Sequence, residues 1–344
     1  MSVGVAIVGC GSIGQKRARA LGHARLVACA DARPDRAEAM ARTAHEVAAG
    51  EDWRTVVDRP DVDLVIVATT NDALAAVARG AVEAGKHVLV EKPAARSVAE
   101  LDEVIAAAAR RDRLVRVGFN HRYHPALRKA HELVAAGALG TLMFVRGRYG
   151  HGGRLGYERE WRADKAISGG GELIDQGVHL IDLGRWFLGD FDRVDGFAHT
   201  YFWKMPVDDN AFLLLRTPSG QAASLHVSCT EWKNLFSLEI YGHDGKLHVE
   251  GLGGSYGVER LAWYRMLPEM GPPETTIWEY PGADRSWEAE FLEFLDDIRL
   301  HRQPSADLQA ARAALAVVER VYQGTPRASA ASHGPVPPFG PDPS

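Results

Sequence analysis

No apolar stretch of this 344-residue chain approaches the roughly 18 residues that cross a bilayer, because Gly, Asp or Arg interrupts the longest candidates. A transmembrane role is therefore not expected. Cysteine is scarce: Cys10, Cys29 and Cys229 are an odd number at wide spacing, which gives neither a disulfide framework nor a zinc-binding pattern. Two of them sit in apolar runs, where Cys packs as a small hydrophobe. Basic excess is also missing. The net charge is −5 and neither half carries a basic stripe, so nucleic acid and membrane surfaces are not expected partners. Met1 runs straight into VGVAIV with neither a basic leader nor a small-residue cleavage site, which points to the cytoplasm. Against these absences, 46% of the residues are hydrophobic, enough for a sizeable core in one large domain or two.

Up to about residue 120, short runs rich in β-branched residues (VGVAIV, LVACA, LVIVA, HVLV, VRVGF) alternate with Ala-rich segments of helical period. Such alternation implies a parallel sheet with helices on both faces, an α/β fold. After Pro125 the texture changes to a helix over 125–137, a strand over 139–149, a Gly-rich loop, and a helix opening at GGGELIDQGVH. Beyond Gly189, the runs DNAFLLLRT, QAASLHVSC, LFSLEIYG and KLHVE are separated by turn residues and favour an antiparallel sheet. Helical period returns over 284–302 and 306–323. The domains expected are 1–122 and 123–324, the second an α+β unit. A Pro-, Ser- and Gly-rich tail over 325–344 cannot bury enough surface to order itself. No internal repeat is visible.

Gly9, Gly11 and Gly14 form G-x-G-x-x-G, with Cys10, Ser12 and Ile13 between them, at the junction of the first strand and first helix. Gly9 permits the tight turn, Gly11 lets backbone approach a pyrophosphate, and Gly14 lets helix pack on strand. Alone the motif is weak. The second strand, however, ends in Asp31, at the distance where a carboxylate accepts from the adenosine ribose hydroxyls. This makes residues 1–122 a doubly wound, Rossmann-type dinucleotide-binding domain. Asp31 repels a 2′-phosphate, whereas Arg33 and Arg36 attract one, so the balance favours NAD with NADP as the alternative.

Three more segments carry chemistry: HVLVEKP (87–93), VGFNHRYHP (117–125) and GGGELIDQGVH (169–179). Lys92 directly follows a buried strand, at the sheet edge where ligands of such folds bind, and its ammonium can hold a substrate hydroxyl. Asp175 and His179 stand four apart on an expected helix, on one face, where a carboxylate raises imidazole basicity. A plain ion pair or a metal pair is the alternative, but no third ligand of suitable spacing accompanies them, and no metal is expected. His121, Tyr123 and His124, with Arg154, Tyr157 and Arg159, concentrate polar and aromatic groups in segments suited to a hydroxyl-rich substrate or simply to solvent. EWKNLF (231–236) and Trp203 belong with the antiparallel sheet or an oligomer contact.

In the combination of the glycine motif, GKHVLVEKP and GGG followed by D-x-x-x-H, over about residues 3–320, the chain resembles the Gfo/Idh/MocA oxidoreductases of sugars and polyols. The resemblance implies a Rossmann domain followed by a domain with a large, mostly antiparallel open sheet, through which a homo-oligomer, dimer or tetramer, would form. It implies Lys92 as the residue positioning the reacting hydroxyl, His179 as general base and Asp175 as its partner and a substrate contact. It places Glu91, Lys92, Thr69, Asn71, Asn120, Trp161 and Arg162 near the cofactor and Arg122 in the cleft near the substrate, where the polar segments described above also put Tyr123 and Arg154. Thr70 and Leu74 replace the proline and histidine usual in T-P-x-x-x-H. For Asn120, Arg122, Trp161 and Arg162 a structural role at the domain junction stays open.

The expected activity is hydride transfer between nicotinamide and the hydroxyl or keto carbon of a sugar, cyclitol or derivative. One alternative is an NAD-dependent glycoside hydrolase acting by transient oxidation and elimination, which would release product without net NADH. Another is a non-catalytic dinucleotide sensor, for which loss of the Lys92, Asp175 and His179 set would be expected.

Overall fold

The computed structural model describes residues 2–325, so the tail expected over 325–344 lies outside the described residues except for Thr325. Six strands, β1 (Gly4–Val8), β2 (Arg25–Ala30), β3 (Ala48–Gly50), β4 (Leu64–Val67), β5 (His87–Val90) and β6 (Val115–Val117), form a parallel sheet in the order β3-β2-β1-β4-β5-β6. Five coincide with the β-branched runs. The sixth, β3, is the tripeptide AAG, which has no strand signal of its own and is held as an edge partner of β2. All of β1 and β4 is buried, as strands covered on both faces require. Strand order reverses between β1 and β4, which opens a crevice at their carboxyl ends.

One face of this sheet is covered by helices Asn71–Glu83 and Val98–Arg111. The other receives a helix from far along the chain. Phe291, Phe294 and Leu295, on one stripe of helix Ser286–Leu300, pack against Val5, Ile7, Leu26, Ile66 and Leu89. The expected boundary at 122/123 thus leaves with the second domain a helix that completes the core of the first. Near its C-terminal end, Asp297 pairs with buried Arg116 of β6.

The second sheet comprises β7 (Leu142–Gly150), β8 (Arg193–His199), β9 (Asn210–Arg216), β10 (Ala222–Ser228), β11 (Leu235–Gly242), β12 (Gly245–Glu250), β13 (Glu259–Arg265) and β14 (Glu274–Tyr280). Its order is β14-β13-β12-β11-β7-β10-β9-β8, antiparallel except between β7 and β10. Strict alternation decides its two faces: Phe236, Leu238 and Ile240 of β11 point inward while Ser237 and Glu239 point outward. Helices Pro125–Ala135, Val178–Leu188 and Leu308–Gly324 contribute to the same core. Strands β8, β13 and β14 go beyond the sequence expectation, since Gly196 interrupts β8 and the outermost strand β14 is mostly exposed.

The GGG turn is set by close approach. A Cβ on Gly170 would stand 2.2 Å from the Tyr322 hydroxyl, and one on Gly171 would stand 1.9 Å from the Asp208 carbonyl oxygen. Residues Leu173–Gly177 then wind as a π-helical turn before helix Val178–Leu188, where a regular helix was expected. This wider turn places Asp175.

Candidate active site

The dinucleotide cleft is a cavity of about 680 Å³ at the reversal point of the parallel sheet. Gly9 has φ +94°, and a Cβ there would stand 2.4 Å from the Ala68 carbonyl oxygen. A Cβ on Gly14 would stand 2.0 Å from the Gly9 carbonyl oxygen, so glycine alone permits this packing of helix on strand. Gly11 instead faces the open cleft, its nearest neighbour being the Arg36 guanidinium at 3.8 Å from a built Cβ. No side chain caps helix Ser12–Arg19, which leaves first-turn N–H groups beside Ser12 and Ile13 available to an anion. The Asp31 carboxylate accepts from the backbone N–H of Cys10 at 2.7 Å and of Arg33 at 2.9 Å. It is thereby fixed at the wall of the cleft. These features fit the pyrophosphate and adenosine ribose of a nicotinamide dinucleotide. Arg33 and Arg36 both line the cleft, Arg33 with its charge paired to Asp35.

A second cavity, about 570 Å³, shares Ile13, Ala68, Thr69, Trp161 and Arg162 with the first. The two are contiguous. Lys92, Asp175 and His179 all line it, although Lys92 comes from the end of β5 and the other two from the second domain. The Lys92 ammonium donates to the Asp175 carboxylate and to its backbone carbonyl, each at 2.5 Å. Two of its three protons are thus engaged and one remains for a ligand oxygen. Arg162 donates to the other Asp175 oxygen at 3.0 Å. Burial works against the Asp175 charge, but Lys92 and Arg162 outweigh it and hold the carboxyl well below the usual carboxylate range.

The expected Asp175–His179 partnership is corrected by this geometry. The π-helical turn removes the regular i, i+4 register, and both Asp175 oxygens are engaged by cations. His179, 4% exposed, instead packs edge-on against His121 with ring centroids 3.8 Å apart. Its Nδ1 is buried without a protein partner. Burial, then Lys92 and His124, push His179 well below the ordinary histidine value of 6.5, so the imidazole is neutral at pH 7. A neutral imidazole and an ammonium facing one cavity beside a dinucleotide cleft can accept a hydroxyl proton and hold the oxygen. Three residues before Asp175, the Glu172 carboxyl is buried without a hydrogen bond, and burial followed by Asp175 and Asp208 raises its pKa.

Glu91 lines the second cavity and is tied to Arg17. Asn71 and Asn120 line it too, but each amide bridges the domains, Asn71 to the Ser168 carbonyl and Asn120 to the Ser286 hydroxyl. Trp161 and Arg162 stand where the cavities join. Arg154 lies at the dinucleotide cleft, paired with Glu160, rather than at the second cavity where substrate was expected. Arg122 and Tyr123 are turned away. Arg122 is buried against Asp182 and the Ser305 carbonyl, and the Tyr123 hydroxyl donates to Glu293. Their charge and hydroxyl are satisfied by structural partners, which corrects the expectation of substrate contact.

Residues beyond the sequence expectation complete the second cavity: Lys16, Tyr149, Gln176, Tyr256, Asp284 and Trp287. Tyr149 could have been found from the inward phase of β7. Tyr256, Asp284 and Trp287 come from loops and a helix start with no local motif.

Residues 3–119 match the model of the oxidoreductase family with an NAD-binding Rossmann fold, and residues 127–248 match the GFO/IDH/MocA C-terminal domain. Inositol 2-dehydrogenase 3 of Saccharopolyspora erythraea is 31% identical over 311 residues, covering 87% of this chain and 86% of its own. The chain belongs to the Gfo/Idh/MocA family. Levoglucosan dehydrogenase of Pseudarthrobacter phenanthrenivorans is 29% identical over 245 residues, an alignment spanning 63% of each chain. A solved levoglucosan dehydrogenase in complex with NADH superposes with a TM-score of 0.83 at 25% identity, over 93% of this chain and 97% of that one. This Gfo/Idh/MocA member is thus an oxidoreductase with an NAD-binding Rossmann domain, and its relatives include sugar and cyclitol dehydrogenases.

Proposed function

We propose that this protein transfers hydride between NAD and a hydroxyl-bearing carbon of a sugar, cyclitol or related polyol, in either direction. The convergence of Lys92, Asp175 and His179 in a cavity contiguous with the dinucleotide cleft carries this reading. When bound, nicotinamide supplies the hydride acceptor. His179, kept neutral by burial and by Lys92, takes the hydroxyl proton on its imidazole. The remaining Lys92 N–H holds the same oxygen and favours its negative charge. Asp175, held by Lys92 and Arg162, keeps the ammonium aimed into the cavity. A panel of sugars, anhydrosugars, cyclitols and nucleotide sugars with NAD and NADP, followed by nicotinamide absorbance, tests the reading. Reduction with at least one neutral polyol is expected, and none with any compound contradicts it.

Asp31 favours NAD because its carboxylate, fixed at the cleft by the Cys10 and Arg33 N–H groups, would repel a 2′-phosphate. Asp31→Ala, with Arg36 left in the cleft, is expected to lower the NAD/NADP ratio of kcat/KM by about tenfold or more. An unchanged ratio would sink the ribose assignment.

The outward face of the large sheet presents Phe197, Phe212 and Leu214, exposed by 43%, 37% and 45%. Together with the resemblance to the family, this supports a homo-oligomer joined through that face. Leu214→Asp is expected to shift the mass seen by light scattering toward the monomer, and an unaltered oligomer rules out this face. The three buried free thiols suit work in the cytoplasm.

A further inference from the structure

Arg17 lies on the dinucleotide-binding helix Ser12–Arg19 but faces away from the cleft, 1% exposed. Its Nε donates to Glu91 at 2.6 Å and its Nη1 to Glu290 at 2.6 Å. Its guanidinium carbon stands 4.5 Å from the ring centroid of Trp287. Glu91 immediately precedes Lys92, and Trp287 and Asp284 wall the second cavity. One guanidinium therefore touches the cofactor helix, the turn carrying Lys92 and the returning helix Ser286–Leu300. Space is reserved for it: a Cβ on Gly118 would stand 2.8 Å from Arg17 Nη2 and 3.0 Å from Glu91 Oε2.

The cluster is a poor way to gain stability. Two acids share one buried cation, and Glu290, fully buried, leaves Oε1 without a partner. Well-packed apolar side chains often replace a buried ion cluster without loss, as Phe291 and Phe294 fill the adjoining space. What an ionic cluster fixes is direction and distance.

We propose that Glu290 is a positioning residue that, through Arg17, fixes the Trp287 and Asp284 wall relative to Lys92 and so shapes the substrate cavity. This rests on the proposed hydroxyl oxidation, because turnover is one of its readouts. Glu290→Gln retains shape and one acceptor but loses the charge that holds Arg17. Asp297→Asn is its control: Asp297 is equally buried on the same helix and pairs with buried Arg116, outside both cavities. The panel compound with the highest rate serves as substrate, and the Kd of NADH is measured separately by its fluorescence.

Both variants are expected to lower Tm. Only Glu290→Gln should raise substrate KM, by about tenfold or more, as small displacements of a positioning wall do. The NADH Kd should stay within about twofold in both, because Glu91 still holds Arg17. Should Glu290→Gln not fold, Arg17→Lys, which keeps a cation but loses the fork that reaches both acids, is expected to raise KM in the same way. A wild-type KM in the folded variant, or an equal rise in Asp297→Asn, overturns the positioning role. A wild-type protein that reduces nicotinamide with no compound overturns the proposed oxidation itself.

Discussion

His179→Ala lowers kcat by roughly 10²–10⁴-fold, the range that loss of a positioned general base produces, and leaves the NADH Kd unchanged. The separation follows from geometry: His179 lines the second cavity only, whereas the pyrophosphate loop and Asp31 line the first. The pH profile gives an independent reading. A base must be unprotonated to act, and burial together with Lys92 and His124 depresses the His179 pKa below 6.5. Lowering the pKa extends the neutral form to lower pH, so the acid limb of wild-type kcat/KM lies below the ordinary histidine value. In His179→Ala that limb disappears with the base. A variant with near-normal rates across the pH range would show that another group takes the proton.

Lys92→Met damages turnover and substrate affinity together. It removes the N–H available to the reacting oxygen, a loss of roughly 10²–10³ in kcat for a donor of this kind. It also releases Asp175 from one of its two cations, and the Lys92 and Asp175 side chains are only 17% and 13% exposed. Removing one partner of a mostly buried pair is costly, so Tm falls as well. A further signature separates this role from simple destabilisation. Lys92 is one of the groups that depress His179, so its removal makes protonated His179 easier to form. The acid limb of residual activity therefore moves to higher pH. An unshifted limb in a folded Lys92→Met protein would place the ammonium outside electrostatic reach of the base.

Much of this arrangement was legible because its cues are local. The glycine motif, Asp31 and strands β1 and β2 lie within about 30 residues of one another, and β4 and β5 are short apolar runs that read as strands by themselves. Lys92 was legible because it ends a buried strand. Illegible features were those decided by distant partners. The Asp175–His179 pairing failed because a π-helical turn and two cations, Lys92 and Arg162, redirect Asp175. Arg122 sits in a segment rich in site residues, yet its partner Asp182 lies on a helix of the second domain. Helix Ser286–Leu300 has an ordinary amphipathic pattern that cannot say which of two sheets it will cover. Its return to the parallel sheet brings Trp287 and Asp284 to the cavity wall.

The central claim is that the two contiguous cavities form one hydride-transfer site for a hydroxyl compound. The most direct measurement is the stoichiometry of NADH formed against compound consumed, with NAD in excess and a panel of neutral sugars, anhydrosugars and cyclitols. One NADH is expected for each hydroxyl oxidised, formed roughly 10²–10⁴-fold more slowly in His179→Ala. Product release without net NADH, or NADH formation at a near wild-type rate in His179→Ala, would contradict it.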